Sequence, residues 1–101
     1  MEKTKQELAP EIYDLLLFVT GMSVGSTRAI ANIKDICDKY LTGRYTLEII
    51  DIHKFPESMF ENDIIASPTL IKRFPLPMKK LLGDLSNRTR VLNVLSIKEP
   101  G

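Results

Sequence analysis

Thiols are almost missing from this chain: Cys37 is the single cysteine in 101 residues. A lone cysteine forms no internal disulfide, and without a Cys-x-x-Cys pair there is no dithiol to run redox chemistry. Histidine is as scarce, with His53 alone, so no His/Cys set at metal-ligand spacing exists and neither a metal nor a cofactor is expected. An excess of one charge is missing too, because 14 Lys and Arg against 13 Asp and Glu leave a net charge of +1. That balance gives no global attraction to nucleic acid or to an acidic membrane, so any electrostatic site has to be local. The longest apolar run, Leu15-Leu16-Leu17-Phe18-Val19, is far below the roughly 20 residues that cross a bilayer. Residues 1 to 10 are charged and hold no long apolar region, which argues against a signal peptide and, with the single thiol, for a reducing cytoplasm.

What is present reads as one domain with a core of modest size. Residues 1 to 10 are expected as a flexible arm ended by Pro10, residues 11 to 97 as the domain, and residues 98 to 101 as a tail. Residues 12 to 19 are almost continuously apolar, as in a central strand buried on both faces of a partly parallel sheet; Asp14 stands near its exposed start. A turn-rich stretch follows, in which Ser23 or Ser26 can cap the next helix. Gly21 and Gly25 lack the Gly-Lys-Ser/Thr that would make them a phosphate loop. Ile30, Ile33, Cys37 and Leu41 then recur at three- and four-residue steps, joined by Ile36 and Tyr40, and so predict a helix ended by Gly43 in the C-cap place. Cys37 lies on the apolar stripe, where a structural thiol is far commoner than a reactive one.

Residues 45 to 52 predict a strand with Leu47 and Ile49 on one face and Thr46, Glu48 and Ile50 on the other. The alternation is imperfect enough to place it near a sheet edge, where unpaired backbone groups can accept a partner's strand. A short polar helix is expected over residues 57 to 64, with Met59 and Phe60 as its packing contacts, while Glu57, Glu61 and Asp63 read as a solvated face. His53 reads as an exposed loop residue.

The stretch from Ala66 to Ser86 is the densest in proline and in basic charge. Ser67-Pro68-Thr69-Leu70 reads as the entry to a strand, since proline is tolerated where a strand begins. Phe74-Pro75-Leu76-Pro77 forces a turn or extended connection. Lys72, Arg73, Lys79 and Lys80 suggest a local basic patch suited to an acidic protein surface or phosphate, with a solvated strand face as the equal alternative; without interleaved aromatics it does not suggest nucleic acid. Asp84 or Ser86 can cap a last segment in which Val91, Leu92 and Leu95 make a helical stripe, although Val91, Leu95 and Ile97 also fit strand alternation.

Several pieces, in this order and spacing, resemble the KaiB family of circadian clock proteins. They are Ser26-x-Arg28-Ala29, Tyr45-x-Leu47-x-Ile49-Ile50-Asp51, Lys54-x-Pro56, Ala66-x-Pro68-Thr69-Leu70, Pro75-x-Pro77 and Gly83-Asp84-Leu85-Ser86-Asn87-Arg88. The resemblance implies an α/β fold, an α-β sandwich with a central mixed sheet, and two arrangements of one sequence: a resting, self-associating βαββααβ form and a thioredoxin-like βαβαββα form. It implies a non-enzymatic regulator that binds a KaiC-type ATPase, with KaiA or a sensor kinase as further partners and a dimer or tetramer as the resting state. It marks Gly83 and Asp84 as switch-region residues, Pro68 as the start of the half that refolds with a cis Ser67-Pro68 bond in the thioredoxin-like form, and Lys54 as a partner contact, to which the basic patch adds Lys79 and Lys80. The turn Met22-Ser23-Val24-Gly25, Asp63 and the end Lys98-Glu99-Pro100-Gly101 depart from the cyanobacterial pattern, which leaves a clock-derived stress role beside timekeeping. A self-associating regulator without KaiC binding is the alternative. A thioredoxin-fold oxidoreductase is remote, because Gly21-Met22-Ser23-Val24 occupies the expected active-site turn without a cysteine.

Overall fold

A computed structural model describes residues 12–62, 64 and 68–97. The elements run β1 (Tyr13–Val19), α1 (Val24–Tyr40), β2 (Tyr45–Asp51), α2 (Glu57–Glu61), β3 (Thr69–Phe74), β4 (Lys79–Leu82) and α3 (Arg88–Leu95). This βαβαββα order is the thioredoxin-like one of the two arrangements set out above. The arm, the tail, Asp63 and the Ser67-Pro68 bond lie outside the described residues. Among the described residues no helix is long and apolar enough to cross a membrane.

The strands form one mixed sheet in the order β2-β1-β3-β4. β1 pairs in parallel with β2, Leu15 opposite Leu47, and antiparallel with β3, Leu16 opposite Ile71. The continuous apolar run of β1 follows from this place, since a central strand has no solvent face. Its odd-numbered residues Tyr13, Leu15, Leu17 and Val19 join Ala29, Ile33, Cys37, Leu70, Val91, Leu92 and Leu95 under α1 and α3. Leu16 and Phe18 pack on the opposite face with Ile64 and Ile71, covered among the described residues by Ile50, Ile52 and Met59. β2 is an edge strand, as its pattern predicted, with Leu47 packed on the first face and Ile50 on the second.

Three local readings need correction. α1 ends at Tyr40 with Leu41 as its C-cap, whose N–H bonds the Cys37 carbonyl at 2.8 Å. Gly43 stands beyond the cap and uses its positive φ of 71° to turn the chain into β2. α2 stops at Glu61, and Phe60 is 89% exposed, so that Met59 alone of the expected pair packs inward. α3 is capped by Asn87, whose side chain accepts the Arg90 N–H at 3.2 Å; Asp84 and Ser86 belong to the preceding turn.

The segment that fitted either helix or strand is a helix because Val91, Leu92 and Leu95 can all reach one core only at helical spacing. Two contacts fix it. The Tyr13 hydroxyl donates to the Leu95 carbonyl at 2.7 Å across 82 residues of sequence. Arg88 donates to the Tyr40 hydroxyl at 3.2 Å and pairs with Asp35 at 3.5 Å, tying the start of α3 to α1. The prolines after β3 lie in the β3-β4 hairpin, where Phe74-Pro75 and Leu76-Pro77 are cis.

Candidate functional site

The turn into α1 is where a thioredoxin-like chain carries its reactive cysteines, because a helix N-terminus stabilises a thiolate. Here that place is a hydroxyl network. Ser23 caps the helix by accepting the Ser26 N–H at 3.2 Å, and the two side-chain oxygens lie 2.8 Å apart. Ser26 is fully buried and its oxygen also accepts the Thr20 N–H at 2.9 Å. Gly21, at φ 51°, donates to Asp51 at 3.3 Å, while Gly25 lies inside α1 near Pro68. Ser23-x-x-Ser26 thus has dithiol spacing without a thiol. Its one sequence signal was a pair of potential caps three residues apart.

Cys37 is fully buried toward the other end of α1. Burial, with a smaller push from the Asp38 charge, raises its thiol to a pKa of about 12. At neutral pH it carries no thiolate and is no nucleophile. Among the described residues no three His, Cys, Asp or Glu side chains come together as a metal group.

Of the singled-out residues, Pro68, Gly83 and Asp84 are brought together. Gly83 donates its N–H to the Pro68 carbonyl at 2.9 Å and has a φ of 113°, which L side chains rarely adopt. The Asp84 carboxylate accepts the Ser86 N–H at 3.0 Å and lies 3.9 Å from Arg28, and its carbonyl accepts the Asn32 amide at 2.9 Å. Hydrogen bonds from Ser86, helped by the Arg28 charge, hold the Asp84 carboxyl below the ordinary carboxylate range. The turn before α3 is therefore stitched to α1 through Arg28 and Asn32. Sequence reading missed Asn32, although its i+4 spacing from Arg28 puts both on one helical face.

The basic residues do not gather. Strand alternation sends Lys72 and Lys79 to one face of the sheet and Arg73 and Lys80 to the other. Lys72 is buried, at 1% exposure. Arg73 makes two 3.1 Å bonds to the Asp14 carboxylate. Lys80 donates to the Asn62 carbonyl at 2.9 Å, leaving Lys79 exposed beside it. The four cations are thus split between the two faces of the sheet, since successive residues of a strand point to opposite sides. Lys54 is exposed on the loop after β2, at the opposite edge of the sheet from Lys79 and Lys80. His53, next to it, is exposed, and its N–H bonds Asp51 at 2.9 Å. That bond, followed by the Gly21 N–H and the charges of His53 and Lys54, keeps the Asp51 carboxyl low.

Comparison with known proteins fits this geometry. The family model described as the KaiB domain matches residues 16–97. The chain is 45% identical over 87 residues to the circadian clock protein KaiB3 of Synechocystis sp., covering 86% of this chain and 85% of that one. It is 43% identical over 84 residues to the circadian clock oscillator protein KaiB of Nostoc punctiforme, covering 83% and 81%. Among solved structures, the N-terminal domain of Synechococcus elongatus SasA superposes with a TM-score of 0.70 at 21% identity, over 92% of this chain and 91% of that one. The thioredoxin Deadhead of Drosophila melanogaster does so at 0.68 and 17%, over 91% and 86%. At these identities the structural likenesses show the fold alone.

Proposed function

Because the chain belongs to the KaiB family, matched by its domain model over residues 16–97, we propose that it is a non-enzymatic regulator that binds a KaiC-type ATPase. It modulates the signalling or phosphorylation state of that ATPase, in a circadian clock or a stress response derived from one. The observation that carries this reading is 45% identity to a circadian clock protein across 86% of the chain. The site chemistry supports it from the other side. A buried, protonated Cys37 and a serine pair at the head of α1 supply no reducing thiol.

In this proposal the thioredoxin-like arrangement is the partner-binding form, and a resting, self-associating form holds the remainder of the chains. Lys54 and Lys79 meet partners directly, whereas Pro68, Gly83, Asp84 and Lys80 act through the packing of the half that rearranges. A partner that binds one form sees an affinity reduced by the fraction of chains in that form, so a competent population of about 1% weakens apparent binding about a hundredfold. KaiA or a sensor kinase would compete for or share the exposed surface, and all these meetings would take place in the cytoplasm.

The test is co-purification with the KaiC-type ATPase of the same organism, in ATP and in ADP, with its phosphorylation followed in parallel. A complex in one nucleotide state and an altered phosphorylation time course are expected. Absence of any complex in both states and at low salt overturns the reading.

A further inference from the structure

Four apolar side chains stand exposed at one end of the sheet: Ile12 at 50%, Phe74 at 46%, Leu76 at 74% and Met78 at 57%. The strand register brings them together. Asp14 lies opposite Phe74 and the two strands run antiparallel, so two residues further back Ile12 comes level with the Pro75-Leu76 bend of the hairpin. Lys79 lies opposite Lys72, so Met78 falls beside Arg73 and Phe74. Lys79 borders this patch, exposed, and its ammonium group makes no hydrogen bond or ion pair among the described residues. The neighbouring Arg73 is already held by Asp14. Adjoining exposed apolar side chains rimmed by charge mark a contact site. What can cover this one follows from where the chain enters β1. The residues just before Ile12 read Glu7-Leu8-Ala9-Pro10-Glu11, a short apolar stretch bracketed by carboxylates, which complements an apolar patch bordered by a lysine. Leu8 stands four residues before Ile12, a span of at most about 14 Å, which keeps it within reach of the bend. So short a tether gives it an effective concentration on the order of millimolar, well above that of a second copy in dilute solution.

We propose that Leu8 and Ala9 fold back over the β3-β4 bend of the same chain, Leu8 against Leu76 and Met78, with Glu7 paired to Lys79. Burial of the apolar side chains supplies the attraction, and the ion pair sets the orientation in which the segment lies. The cover is intramolecular and shields the hairpin end from other copies. A partner that takes Lys79, as in the function proposed above, has to displace Glu7; in that respect alone the inference rests on the functional reading.

The experiment follows the full chain, methyl-labelled at isoleucine, leucine and methionine, by NMR. Expected are nuclear Overhauser contacts from the Leu8 methyls to Leu76 and Met78 within one molecule. Leu8→Asp should remove them and leave the core signals in place. It should also raise the relaxation that a soluble gadolinium chelate induces at the Leu76 and Met78 methyls by about twofold, as for a cover in place about half of the time. Glu7→Lys should weaken the same contacts, and so should high salt. Absence of the contacts, unchanged relaxation in Leu8→Asp, or contacts that appear only between labelled and unlabelled molecules of a mixed sample, which is the signature of a second copy, overturn the inference. Addition of the KaiC-type ATPase separates it from the functional reading. If the Leu8 contacts are present and no complex forms, the function falls and the cover stands. If a complex forms and the free chain shows no Leu8 contacts, the cover falls and the function stands.

Discussion

Replacing Tyr13 with Phe removes one oxygen from the contact that closes the domain, and its effect follows from the geometry. The Tyr13 hydroxyl is 2.7 Å from the Leu95 carbonyl, in a buried position on a residue 7% exposed. A carbonyl in the last turn of a helix has no intrahelical donor. Losing the phenol therefore removes the net value of one hydrogen bond, about 1 kcal/mol, and leaves a partly desolvated acceptor, which brings the cost to about 1.5 kcal/mol. In a domain of this size that lowers the urea midpoint by about 1 M and the melting temperature by about 6 to 10 °C. The measurement is equilibrium urea unfolding at pH 7 by far-UV circular dichroism, with amide exchange of residues 88–95 as a local readout. Tyr45→Phe is the internal control, because its hydroxyl makes a 2.9 Å bond to Asp38 in an exposed place and so should shift the midpoint much less. Equal shifts in the two variants, or unchanged exchange in α3 for Tyr13→Phe, refute the reasoning that this bond holds α3 in place.

Three further outcomes can be checked. The Cys37 thiol, pushed up to about 12 in the fold from 9.0 outside it, keeps its proton when the unfolded chain has lost it. Stability is thus fully present below pH ~9 and declines as pH rises toward 12, by up to about 1.4 kcal/mol per unit; a flat urea midpoint between pH 8 and 10.5, or rapid native alkylation at pH 8, would contradict this. Ser23→Cys with Ser26→Cys should form an internal disulfide on oxidation while Cys37 stays unlabelled, since the wild-type oxygens are 2.8 Å apart at a helix start. Mass spectrometry reporting both engineered thiols still free after oxidation would rule that out. Gly83→Ala with Asp84→Arg is expected to move chains toward the thioredoxin-like arrangement. The first change strains a φ of 113° even there, by about 1 to 3 kcal/mol, so the shift requires a larger loss in the resting form. Unchanged NMR shifts across residues 68–97 would count against it.

How much of this was legible in the chain depends on how local each determinant is. β1 could be read because burial on both faces leaves an unbroken apolar run, and α1 because Ile33, Ile36 and Cys37 recur at helical spacing. The edge position of β2 showed in its imperfect alternation. α3 could not be settled, because Val91 and Leu95 satisfy both periods, and the choice rests on Tyr13 and Tyr40, which lie far away in sequence. The basic patch failed for the same reason in reverse. Four cations close in sequence were dispersed by strand alternation and by Asp14 and Asn62, partners that no local window contains. Of the candidate site, the Gly83-Asp84 turn was marked by motif, but its anchorage to Arg28 and Asn32 needed the packed helix to be seen. Ser23-x-x-Ser26 was overlooked because serines at a helix start are ordinary caps.

The two borders of the sheet are unequal. β2 offers seven residues, whereas β4 offers four and carries Lys79 and Lys80. Short, lysine-bearing borders resist lateral pairing. If two copies ever join through β2, the same border is used on both sides, the contact is isologous, and the extended sheet ends in a β4 at each extremity. Such growth closes at a pair and does not propagate into a fibre.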